Sequence, residues 1–159
     1  MTFDARYFSA FRDSAAALER AAANLTFTLG RVASFPPLTP DAVTALPPQA
    51  RERLDALAAR FARCRQTAGN AFKALALLEA DPQPRFIDLL ALIQKRGLID
   101  SIENWDMQRD LRNDVGNVYF ATDAEFADFY NTLAEAAPGV AAYWDRLRTY
   151  AQSLGIRFD

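Results

Sequence analysis

The segment "RDLRNDVGNVY", residues 109–119, gathers two arginines, two asparagines, two aspartates and a glycine ahead of a tyrosine. These are residue types that bind anions. Read as helix at about 100° per residue, Tyr119 returns to nearly the face of Arg112, and Asn113 and Asn117 stack on the adjacent one. A guanidinium, two amides and a phenol then converge, supplying donors for phosphate oxygens and a planar fork suited to them. Gly116 costs about 1 kcal/mol relative to alanine inside a helix, which fits a place where a ligand or another backbone comes close. An ordinary solvated face accounts for the segment equally well. Asp106, Asp110 and Asp114 follow at i, i+4, and Arg109 and Arg112 are free to pair with acids. Periodicity leaves both readings open.

Other chemistry is scarce. The chain has no histidine and one cysteine, so an internal disulfide and the commonest ligands of zinc, copper and haem are absent, and neither a metal nor a cofactor is expected. Cys64 falls on an apolar seam and reads as a packed core thiol rather than a nucleophile. Arg51, Arg53, Arg60, Arg63 and Arg65 form a ribbon that could grip phosphate, but Glu52 and Asp55 interleave, so it reads chiefly as a solvated helix face. The formal charge of −2 excludes a broad electropositive surface, so any nucleic-acid contact must be local.

These residues need elements to hold them. A chain of 159 residues, 51% hydrophobic, suffices for one core, and a single domain spanning residues 1–159 is expected. Phe8, Phe11, Ala15, Leu18, Ala22, Leu25 and Leu29 keep a three-four alternation, as do Leu54, Leu57, Phe61, Cys64, Ala68, Ala71, Leu75 and Leu78. Two such helices should pair antiparallel. Five prolines between Ser34 and Gln49 force a long connection, with a short helical turn begun by Thr39 and Pro40. It is a candidate to cover the site or to bind a partner. "DPQP", residues 81–84, breaks the chain before a helix that runs out near Gly97.

A helix from Asp100 or Ser101 should carry Ile102, Trp105, Leu111, Val115 and Val118. Thr122 with Glu125 is a capping box for the next, and Pro138 with Gly139 should interrupt it before a last helix. The fold class expected is all-α: a helical bundle built on one long antiparallel hairpin with additional shorter helices. No window is long and apolar enough to span a bilayer, and "MTFDARYFSAFRD" carries Asp4 and no apolar run. A cytoplasmic chain without membrane association is therefore expected.

Residues 97–119, "GLIDSIENWDMQRDLRNDVGNVY", resemble the signature segment of HEPN domains, the helical toxins of bacterial HEPN/nucleotidyltransferase (type VII) toxin-antitoxin pairs. That signature runs from a Gly-Leu/Ile-Ile turn through a helical Trp to Arg-Asn, three variable residues, His, one residue and Tyr. Gly97, Leu98, Ile99, Trp105, Arg112, Asn113 and Tyr119 match in place, and Asn117 stands where the family has histidine. The resemblance implies a HEPN-like bundle, a homodimer whose cleft cuts RNA without metal, and a nucleotidyltransferase antitoxin that adenylylates (AMPylates) the tyrosine.

Carried over, Arg112 binds the scissile phosphate and stabilises its developing charge, and Asn113 orients the arginine or the RNA backbone. Asn117 takes the catalytic place without being able to exchange a proton near neutral pH. Tyr119 becomes the AMPylation site, with Trp105 and Gly116 supporting the motif. Cleavage of cellular RNA such as tRNA is then inactive or attenuated. A natural loss of catalysis and a His→Asn change made to tolerate expression of a toxin both fit. A non-catalytic substrate-binding or accessory subunit of a nucleotidyltransferase is the alternative, and a scaffold or dimerisation bundle without a ligand is a third.

Overall fold

The two long seams of the sequence become the two longest helices. The computed structural model describes residues 2–79, 86–116 and 119–159. Among the described residues there are seven helices and no strand: α1 (Ala5–Val32), α2 (Pro40–Thr44), α3 (Pro48–Glu79), α4 (Phe86–Lys95), α5 (Ile102–Val115), α6 (Asp123–Ala141) and α7 (Tyr143–Ser153). The chain is an all-α bundle, and no described helix is long and apolar enough to cross a membrane.

α3 folds back along α1. Arg60 on α3 donates through Nη1 to the Asn24 carbonyl (3.2 Å) and Thr28 Oγ1 (2.8 Å), while Arg53 lies against Phe35 just past the end of α1. Between them Phe11, Leu18, Leu25, Leu57, Phe61 and Phe72 are fully buried, and α6 and α7 close the hairpin with Leu133, Val140 and Leu147. Burying a large apolar side chain contributes about 1.5 to 3 kcal/mol, so this seam, rather than helix propensity, holds the long helices together.

Caps set the starts. Asp4, Thr39, Ser101 and Thr122 accept from the backbone N–H two or three residues on, and Glu125 reaches back past the Thr122 cap to the Ala121 N–H (2.9 Å), a variant of the capping box at α6. α4 ends in a Schellman motif: Leu98 N–H to Ile93 O (2.9 Å) and Gly97 N–H to Gln94 O (3.0 Å), with Gly97 at φ 72°.

Three expectations need correction. Pro138 does not interrupt its helix: α6 runs through it to Ala141 and the chain turns only at Ala142. Ala137 and Val140 on that turn are fully buried, and this packing outweighs the one N–H that proline removes. α5 ends at Val115, with Gly116 as its C-cap at φ −73° and its N–H on Asn113 O (3.2 Å). Tyr119 is therefore not on it. Among the described residues no hydrogen bond, ion pair or ring contact joins the proline-rich connection to residues 109–116. Leu38 is clamped to α6 by Asn131, whose Oδ1 accepts from its N–H (2.7 Å) and whose Nδ2 donates to its carbonyl (2.9 Å). The break expected at residues 81–84, like Asn117 and Val118, lies outside the described residues.

Candidate functional site

α5 is fixed by its apolar side. Trp105, Gln108 and Leu111 are buried, and Trp105 packs on Phe72 (5.5 Å between ring centres) and edge-on to Tyr143 (5.3 Å). The Tyr143 hydroxyl donates to Gln108 Oε1 at 2.6 Å, so both buried polar groups are paired. This cluster presents Arg109 and Arg112 toward α3.

The two arginines differ in what holds them. Arg109 is neutralised on its own helix, by Asp106 at 3.3 Å and Asp110 at 3.7 Å. Arg112 has no carboxylate partner among the described residues. Its Nη1 donates to Gln66 Oε1 on α3, and its Nη2 to Asn113 Oδ1 at 3.0 Å. Amide oxygens orient a guanidinium without cancelling its charge, so Arg112 keeps a net positive charge in a defined pose.

A third arginine, missed as a distinct feature by the sequence reading, lies beneath these two. Arg65 is only 4% exposed, not part of a solvated ribbon. Its guanidinium carbon stands 3.1 Å from the Trp105 ring centre, Nη2 donates to the Trp105 carbonyl at 3.0 Å, and Nε has no partner. Burial pulls it down to about 10, with Arg112 and Arg109 adding to the fall and Tyr143 and Asp106 opposing it. It remains charged at neutral pH. The rest of the supposed ribbon is divided: Arg51 donates to Val43 O (2.7 Å) and lies by Phe126, and Arg60 is bound to α1. Only a tertiary contact distinguishes Arg65 from them, which is why spacing along α3 could not.

Arg65, Arg109 and Arg112 border a cleft of about 270 Å³ between α3, α4 and α5. The structure brings Arg112 and Asn113 together and seats Trp105 in the core below them. Gly116 serves as a cap and not as an interior helix residue. Tyr119 is 89% exposed and no contact joins it to Arg112 among the described residues. Its neighbour Phe120 packs instead on Phe126 and Phe129 of α6. The convergence expected from a continuous helix is thus halved, and Asn117 lies outside the described residues. Cys64 is a core thiol as expected: fully buried, 3.6 Å from Val140 O, and pushed up to about 12 by burial. No group of three or more metal-ligating side chains occurs among the described residues.

Comparison with protein-family profiles, with characterised proteins and with solved structures finds no match to this chain.

Proposed function

We propose that this chain is a HEPN-type toxin, built as a metal-independent ribonuclease and carrying a disarmed or attenuated centre. The observation that supports this reading most is Arg112, a guanidinium posed by Gln66 and Asn113 with its charge uncancelled. Cutting an RNA strand without metal requires a proton to leave the 2′-hydroxyl, a proton to reach the departing 5′-oxygen, and stabilisation of charge on the phosphorus oxygens between them. Arg112 supplies the last. Asn117 can hydrogen-bond at the proton-transfer place but cannot exchange the proton, and loss of such a group commonly costs about 10² to 10⁴ in rate. A symmetric dimer doubles Arg112 across the cleft and gives an acidic protein a local cationic site.

On this reading Tyr119, at 89% exposure, is open to a nucleotidyltransferase antitoxin. An added AMP group would bring a negative charge to the motif. The second reading, a non-catalytic binding subunit of a nucleotidyltransferase, is favoured by Asn117 itself and by the absence of any histidine in the chain.

Three chains incubated with total tRNA without added metal separate the two: the sequence as given, Asn117→His, and Asn117→His with Arg112→Ala. The ribonuclease reading expects cleavage only from the second. Because that histidine is the sole imidazole of each protomer, the rate should depend on pH around 6.5, the ordinary imidazole range, with a bell where the two copies in the dimer act as base and acid. Three folded and silent chains overturn the ribonuclease reading in favour of the binding subunit.

A further inference from the structure

We infer that the cleft between α3, α4 and α5 is a subsite for one nucleotide of single-stranded RNA, with its phosphate on the open edge of Arg65 and its base against the apolar wall of α4. The inference borrows from the proposed function only the identity of the polymer. Arg65, Gly69 and the α4 wall, which carry it, lie outside the Arg-Asn motif, and of that motif only Arg112 borders the cleft.

The first observation is the unbalanced charge. Arg65 is 4% exposed, has no carboxylate within ion-pair distance among the described residues, and leaves Nε without a partner. Buried charges are normally paired, because an isolated one is costly. Arg112 borders the same cleft, as does Arg109, whose charge Asp106 and Asp110 offset, and Lys73, exposed and without a partner among the described residues, adds a further cation to a lining that holds no acidic side chain among the described residues. An anion entering here would relieve repulsion that the protein alone leaves standing.

The second observation is Gly69, in the interior of a 32-residue helix. A Cβ at this position would lie 3.6 Å from Arg65 Nη1 and 3.8 Å from Trp105 Cζ2, both ordinary contacts. The fold therefore has no steric need for glycine. What the missing side chain does is leave the space beside Arg65 Nη1 and the Trp105 ring free on the cleft that Arg65 lines.

The third is the opposite wall. Leu89, Leu90 and Ile93 of α4 line the same cavity of about 270 Å³. An inorganic phosphate would leave this wall without a contact, whereas a nucleotide fills both halves, with the flat base on the aliphatic side. Gln66 and Asn70, joined at 3.4 Å, offer amide donors and acceptors to the base edge.

Binding of a labelled single-stranded RNA hexanucleotide tests this with the full chain as given, Arg65→Met and Gly69→Leu, each checked for folding by circular dichroism. The leucine projects into the cleft from a helix position that tolerates its Cβ, so it guards against an Arg65 variant that fails to fold. Competitors are inorganic phosphate, an abasic strand of the same length and an acidic hexapeptide. The expected result is at least tenfold weaker RNA binding in both variants, with all three competitors at least tenfold poorer than the RNA. Equal binding by folded variants, or no binding by the chain as given, overturns the subsite. An abasic strand, phosphate or peptide that competes as well as RNA overturns the nucleotide assignment.

The two hypotheses fail separately. If Asn117→His does not cleave but Gly69→Leu abolishes RNA binding, the subsite stands and the ribonuclease falls. If Asn117→His cleaves equally with and without Gly69→Leu and binding is unchanged, the reverse holds.

Discussion

Arg65 and Arg112 show how much a single guanidinium depends on its acceptors. Arg112 was legible because its asparagine neighbour and the residues around it form a pattern in the sequence. Arg65 was not, since position 65 beside the seam becomes interior only when Trp105 arrives from another helix. The difference yields a prediction at this scale. Replacing a buried charge that lacks a counter-ion by an apolar side chain of similar length removes the desolvation cost while keeping the packing on Trp105. The Trp105 carbonyl, which lies within α5, loses only its second donor. Arg65→Met should therefore leave stability unchanged or raise it by about 1 kcal/mol, measured as the urea midpoint at pH 7, while RNA binding falls. A loss of several kcal/mol would mean that Arg65 is retained for the fold and not for a ligand.

Among the elements, the sequence announced the helices whose seams are long or whose caps are explicit. α1, α3 and the starts at Thr39, Ser101 and Thr122 all follow from residue spacing and hydroxyl caps. Two ends resisted. Pro138 is carried through by the burial of Ala137 and Val140, which no local rule weighs, and α5 stops at Gly116 although its hydrophobic period invites continuation. Hence Tyr119 leaves the face on which periodicity had placed it. Two glycines test the end geometries in opposite directions. Gly97 sits at φ 72°, where an L side chain costs roughly 1 to 2 kcal/mol. Gly116 is right-handed, and among the described residues its Cβ would meet Asn113 O at an ordinary 3.6 Å, so alanine there should be neutral or gain up to about 1 kcal/mol. Thermal unfolding should move down by roughly 2 to 8 °C for Gly97→Ala and stay level or rise by up to about 4 °C for Gly116→Ala. Equal shifts would contradict the two cap geometries.

At the scale of the whole molecule, the missing histidine and the buried weak acids shape how stability responds to pH. No imidazole titrates between pH 5 and 8, so the sensitive range is alkaline. Burial pushes the Cys64 thiol up to about 12 from 9.0, and raises the Tyr130 and Tyr150 phenols to about 12 from 10.0, with Asp55 and Glu79 adding to the respective shifts. For each, the folded state holds a proton that the unfolded chain has released. Their stabilisation is therefore complete below about pH 9 and is lost as pH rises from there toward 12. Arg65 has the opposite sign: drawn down to about 10 from 12.5, it loses its proton more readily when folded, and its burial penalty fades over that upper window. Urea midpoints should be level from pH 6 to 8.5 and fall steeply above 9.5. Cys64→Ala should flatten the fall by an amount on the order of 4 kcal/mol at most, since deprotonating the thiol no longer opposes folding. Arg65→Met should steepen it above pH 10, because the compensating term is gone. The two substitutions bend one curve in opposite directions, so a shared slope in all three proteins would show that alkaline unfolding starts elsewhere than in the Cys64 core and the Arg65 cleft.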